Sequence, residues 1–183
     1  MTYSTTWLLA EIAQGHRLKY LFFWGHQPSK DGTITKSCLS QWWEMGFVVA
    51  GIPYRSAEHW MMAEKARLFG DEWILTKVLA AKSPAETKKL GRQIHDFVPQ
   101  IWEEHKYQIV ITGNLHKFSQ HKLLAEFLLA SGDRVLVEAS PVDTIWGIGL
   151  AADHPDAERP ARWQGPNLLG FALMEVRDQL RRS

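Results

Sequence analysis

The stretch "EHWMMAEKARLF", residues 58 to 69, places two charges where a helix should be apolar. Wound at 100° per residue, Ala57, Met61, Met62, Leu68 and Phe69 fall within one broad apolar arc, with Glu58 and Lys65 in its middle. Glu64 and Arg67 lie outside the arc and His59 near its far side. Seven residues separate Glu58 from Lys65, two turns or roughly 10 Å along the axis, which is too far for a simple surface pair. A buried charge costs several kcal/mol unless it is paired. Either both groups reach partners inside, or their face lines a polar cavity, or their long stems snorkel to water at the helix edges. In a cavity the two have complementary chemistry around a carbonyl or acetal carbon. A carboxylate exchanges protons or stabilises positive charge, and a desolvated lysine is a neutral nucleophile able to form a Schiff base.

The elements that must hold these groups are legible in outline. A short helix is expected over 5–13 within an N-terminal extension of residues 1–19. "YLFFWG" (20–25), "MGFVVAGIPYR" (45–55, whose Gly51 and Pro53 suggest a turn or tight hairpin) and "RVLVEAS" (134–140) have strand composition and are expected to form one small sheet. Helices are expected over 56–69, about 71–81, about 83–92, 99–112 and 119–131, with Ser56 and Ser83 as N-caps and Pro84 in a first-turn position. Residues 149–165 read as a long surface loop, and a terminal amphipathic helix is expected to open with Pro166 in its first turn. The predicted class is α+β, predominantly helical with a small β-sheet, in a single domain spanning 1–183.

Composition narrows the function. A formal charge of +1 argues against a protein that lives on nucleic-acid phosphates, and one cysteine, Cys38, excludes an internal disulfide. No apolar run is long enough for a membrane span, no export signal is visible, and the cytoplasm is the expected location. Metal motifs, phosphate-binding glycine loops and nucleophile elbows are missing, so no metal and no cofactor are predicted. Nine tryptophans stand out as candidate stacking surfaces.

Further candidates lie away from the charged helix. Asp143 and Trp146 sit in the loop "SPVDTIWGIGL" straight after a predicted strand, where Asp143 either presents a carboxylate or caps a turn. Trp102 shares a helical face with Lys106, and Asn114 follows Gly113 at the expected end of that helix, as a binding side chain or a helix stop. "WQGPNLLG" offers backbone N–H groups to an anion at a helix start.

Taken in order, "LFFWG", "LSQWW", "YRSAEHWMMAEKA", "LGR", "IWEEHKYQIV", "SPVDTIWGIGL" and "WQGPNLLGFALMEVR" resemble the NADAR, or YbiA-like, family over about residues 20–177. Glu58, His59, Trp60 and Lys65 match its helix motif, while Met62 stands where glutamine is common. The resemblance implies an N-glycosidase acting on ribosyl N-glycosidic bonds. Its implied substrates are guanine carrying ADP-ribose, in nucleic acid, or phosphoribosylated pyrimidine intermediates of riboflavin synthesis, which are nucleotide-like small molecules. It implies Glu58, Lys65 and Asp143 as catalytic. It also implies Trp24, Trp42, Tyr54, His59, Arg92, Trp102, Trp146 and Asn167 around the substrate, where Asn114, singled out by its own position, is expected to join them. A non-catalytic ADP-ribose-binding module is the rival reading, against which the retained Glu58, Lys65 and Asp143 speak.

Overall fold

A computed structural model describes residues 1–182. Its backbone divides into two compact units, one made of residues 41–122 and the other of residues 1–40 with the chain from Leu123 onward. The expected class holds: helices dominate and the strands are few, in an α+β arrangement. Among the described residues no helix is long and apolar enough to cross a membrane.

The discontinuous unit is built on two parallel strands, β1 (Tyr20–Phe23) and β4 (Val135–Glu138), paired from Tyr20 with Val135 to Phe23 with Glu138. Phe23, Val135, Leu136 and Val137 are buried there. Helices α1 (Thr5–Ala13) and α7 (Leu168–Arg182) belong to this unit, as does all but the first residue of α6 (Lys122–Ala130), and α7 packs on β4. Ser4 caps α1, its Oγ accepting from the Trp7 N–H. Arg177 of α7 is buried and donates through Nη1 to Ser131 Oγ and to the Arg134 carbonyl, tying the helix to the approach of β4. Helix α7 begins at Leu168, after Pro166 rather than with it. Residues 149–165 are mostly turns, as expected, but they bury Ala157 and Pro160 and close with a 3-10 turn at Pro160–Arg162.

The continuous unit opens with a hairpin, β2 (Phe47–Val49) and β3 (Ile52–Tyr54). Ala50 and Gly51 both have positive φ, 49° and 79°, the two-residue turn geometry that matches strand twist. The hairpin does not share a sheet with β1 and β4, which corrects the expectation of a single sheet. Its outer edge is already satisfied: Val48 donates to Gln120 Oε1 and accepts from Gln120 Nε2, so a side-chain amide stands in for a neighbouring strand. Four helices follow, α2 (Ala57–Leu68), α3 (Glu72–Ala80), α4 (Pro84–Gly91) and α5 (Pro99–Ser119), and α2 packs against the other three. Ser56 and Ser83 are the N-caps of α2 and α4, as the sequence predicts. Helix α6 (Lys122–Ala130) leads back toward β4.

Helix α5 runs unbroken through Gly113 and Asn114, where a stop was expected. A Cβ at Gly113 would lie 2.2 Å from Trp60 Cδ1, so the glycine is there for close approach of α2 and not for termination.

Candidate active site

Helix α2 is buried all round in its first two turns, from Ala57 through Ala63, because three helices and a strand surround it. Glu58 is 3% exposed, and its backbone N–H donates to the Gln41 carbonyl at 3.0 Å. Gln41 is itself fixed: its Oε1 accepts from Asn114 Nδ2 at 2.7 Å, and Asn114 Nδ2 also donates to the Val110 carbonyl one turn back. Asn114 is therefore a fully buried brace, which through Gln41 sets the start of α2 beneath Glu58.

Lys65 lies two turns on and is half-buried. Its Nζ donates to the Gly91 carbonyl at 2.9 Å, lies 4.2 Å from the centre of the Phe97 ring and 5.4 Å from the Trp102 ring. Burial lowers the pKa of the amine, and the Glu58 charge opposes that shift. The alternatives open in the sequence narrow accordingly. Lys65 reaches a carbonyl and two aromatic faces inside its unit rather than snorkelling to water, and Glu58 acts on it electrostatically along the helix. Glu64 and Arg67, outside the apolar arc, pair with each other.

Gly91 brings that carbonyl within reach. A Cβ there would sit 2.0 Å from Met62 Sδ, so α4 meets α2 only because residue 91 has no side chain. Met62 fills this contact. Phe97, Gly91 and Gln41 were not singled out by sequence reasoning. The "LGR" stretch contained Gly91, but nothing local marked Phe97 as the ring over Lys65.

The remaining predicted residues of this unit divide by role. His59 was expected near the polar side of α2 and is instead 1% exposed. Its Nδ1 lies 2.8 Å from Ser56 Oγ and its Nε2 3.2 Å from the Ala81 carbonyl, which a neutral ring with Nε2–H satisfies, and burial lowers its pKa. Both nitrogens are thus engaged in joining the start of α2 to the end of α3. Tyr54 is buried between Phe47, stacked at 5.8 Å, and Trp60, edge-on at 5.1 Å. Trp42 is half-buried with Lys88 Nζ 5.7 Å from its ring, and Arg92 is exposed at the end of α4.

Asp143, Trp146, Asn167 and Trp24 belong to the other unit. Asp143 caps a turn, Oδ1 accepting from the N–H groups of Ile145 and Trp146 at 2.9 and 2.8 Å, while Oδ2 takes no part in that turn. Asn167 is fully buried at φ 57°, accepts from the Glu138 N–H and donates to the Leu136 carbonyl, both at 2.9 Å, so it clamps the start of α7 to β4. The Leu169 N–H donates to the Trp146 carbonyl, which removes one of the donors expected for an anion at this helix start. Trp24 is 55% exposed and Trp146 half-buried. Among the described residues no three His, Cys, Asp or Glu side chains gather as a metal site would need.

Comparison with known proteins agrees with the order of these motifs. Residues 22–181 match the NADAR domain. An N-glycosidase of Acanthamoeba polyphaga mimivirus is 42% identical over 166 residues, covering 88% of this chain and 96% of its own. The N-glycosidase YbiA of Escherichia coli is 32% identical over 132 residues, covering 72% of this chain and 74% of its own. The solved NMR structure of the E. coli protein YbiA is similar with a TM-score of 0.71 at 26% identity, covering 91% of this chain and 88% of that one.

Proposed function

The chain belongs to the NADAR domain family, and on that premise we propose that it cleaves ribosyl N-glycosidic bonds with Lys65 as nucleophile. Hydrolysis of N-glycosyl compounds is the activity its relatives are named for, and it is the activity of this chain. The proposed substrates are guanine bases carrying ADP-ribose, or phosphoribosylamino-pyrimidines. Both join ribose C1′ to nitrogen and carry phosphate nearby.

One observation carries the reading: an amine partly withdrawn from water, held on a single carbonyl between two aromatic rings, with a buried carboxylate on the same helix. Opening of the ribose ring, with a proton delivered to the ring oxygen, leaves C1′ as an imine-level carbon bonded to the base nitrogen. The lone pair of neutral Lys65 attacks C1′, and a proton passes from the new ammonium to the base nitrogen. The C1′–N bond to the base then breaks, leaving a Lys65 Schiff base. Water adds to that carbon, the free sugar departs as aldehyde and closes again, and Lys65 recovers its amine. The sum is substrate plus water giving free base and sugar. Glu58 is proposed to move protons in these steps, and the Trp102 ring to stack on the base, a contact worth about 1–3 kcal/mol. Asp143 enters as a second carboxylate on the family resemblance alone.

The test is base release from an ADP-ribosylated guanine oligonucleotide and from a phosphoribosylamino-pyrimidine, with borohydride added to trap the sugar on the protein. Wild type should release base and acquire the sugar mass on Lys65, and Lys65→Ala should do neither. Full activity in Lys65→Ala would end the covalent reading. ADP-ribose binding with no release from either substrate would make the chain a binding module.

A further inference from the structure

The 91–97 side of the chain meets the Lys65 amine twice, through the Gly91 carbonyl and the Phe97 ring. From Arg92 to Val98 the chain runs as turns and irregular backbone, outside the ladders that hold helices and strands. This segment also contains Asp96 at φ 50°, a left-handed conformation that a non-glycine residue keeps only when its surroundings hold it. The holding group is Asp71, 9% exposed at the start of α3. Its Oδ1 caps the helix by accepting from the Ile74 N–H at 2.9 Å. Its Oδ2 accepts twice from His95, from the backbone N–H at 2.9 Å and from ring Nδ1 at 2.8 Å. The strained residue follows His95 directly, and Phe97 follows that, its ring also set edge-on against Phe69 at 5.2 Å.

We propose that Asp71 is a positioning residue for the glycosidase: by clipping His95 it fixes the Asp96 turn that lays Phe97 over the Lys65 amine and keeps that amine partly withdrawn from water. This rests on reading Lys65 as the nucleophile. The N–H groups of His95 and Ile74 hold the Asp71 carboxyl down at about 2, so the clip is charged and closed throughout the neutral range. The groups facing Lys65 are Glu58 from its own helix, the Gly91 carbonyl from α4, Phe97 from the clipped segment and Trp102 from α5, whose Lys106 is paired with Glu103 at 2.6 Å. Phe97 acts in two senses. Its π-face favours the ammonium, and its bulk excludes the water that would solvate one.

Competitive acetylation of the intact chain, read at Lys65 by peptide mass spectrometry, separates positioning from mere shielding. Asp71→Asn retains an oxygen to cap Ile74 but replaces the second acceptor with an amide donor, so the clip opens while the cap remains. Near pH 7 the variant should label Lys65 about threefold or more slowly than wild type, because rehydration raises the pKa of the amine and so lowers its free fraction. Above the ordinary lysine range, where every amine is neutral, it should label at least as fast as wild type. Phe97→Ser should behave likewise. Phe97→Leu, which keeps the cover and loses the π-face, should label near pH 7 as fast as wild type or faster. Faster labelling of Asp71→Asn near pH 7, or Phe97→Ser indistinguishable from wild type, would overturn the proposal. Base release measured alongside should fall with the labelling of Lys65. A wild-type chain that releases no base would defeat the glycosidase reading while leaving the labelling to decide the clip.

Discussion

Replacing Gly113 by alanine should destabilise the protein although it adds a better helix former to the interior of a 21-residue helix. On propensity alone the change gains about 1 kcal/mol. The new methyl group would lie 2.2 Å from Trp60 Cδ1, 2.7 Å from Nε1 and 2.8 Å from Cγ. Carbon contacts are comfortable at about 3.5 Å, so helix or ring must yield by roughly 1.3 Å. The ring has little room, being 7% exposed, edge-on to Tyr54 and bonded through Nε1 to the Ile109 carbonyl at 2.8 Å. Overpacking costs about 1–3 kcal/mol and the strained hydrogen bond about 1 more, leaving a net loss near 2 kcal/mol after the propensity gain. For a chain of this length that lowers Tm by about 4–8 °C. Thermal and urea unfolding of Gly113→Ala, Trp60→Leu and the double variant close the cycle. With the ring gone, alanine at 113 should become stabilising by about 1 kcal/mol. A neutral or stabilising Gly113→Ala in the wild-type background, or the same effect in both backgrounds, would refute the close-approach argument.

Three other outcomes are expected. Lys65 has a lowered pKa when folded, so between that value and 10.5 the unfolded chain binds more protons and stability rises with pH. Urea midpoints of wild type relative to Lys65→Met should therefore climb as pH is raised into this window and stay level below it, whereas a falling difference would contradict the burial of the amine. Asp143→Asn preserves the oxygen that accepts from Ile145 and Trp146, so its Tm should hold while base release drops about a hundredfold. Unchanged release would reduce Asp143 to a turn cap. Asn167→Gly keeps the left-handed backbone but leaves the Glu138 N–H and Leu136 carbonyl without their partner, and denaturant unfolding should register a loss of about 2–4 kcal/mol.

What the sequence disclosed was whatever local chemistry enforces. Ser56 and Ser83 announce helix starts because an N-cap acts within three residues, and the charges of α2 stand out because helical period is a property of neighbours. The Glu58–Lys65 puzzle was legible for that reason, and its solution was not. The carbonyl and ring that receive Lys65 come from residues 91 and 97, and the support of Glu58 comes from Gln41 and Asn114. His59 looked peripheral because a single helix cannot show how many others surround it. Gly113 read as a stop because glycine commonly ends helices, and only Trp60, more than fifty positions earlier, makes it an interior residue. The hairpin of residues 45–55 was legible because its strands are neighbours in sequence, whereas the pairing of β1 with β4 was not, since Tyr20 and Val135 lie too far apart to leave a local pattern.

The parallel pairing of β1 with β4 gives the chain a timetable. Tyr20 leaves the ribosome long before Val135, its partner in register. At about 5–20 residues per second that interval is roughly 6–23 s. During it residues 41–122 can complete their hairpin and short-range helix contacts, which need nothing from later sequence. β1 must wait with its hydrogen-bonding edge unclaimed. A newborn chain is therefore most exposed to aggregation or to a chaperone through residues 20–23, and a pause in translation between Leu123 and Val135 would prolong that exposure without disturbing the helix that carries Glu58 and Lys65.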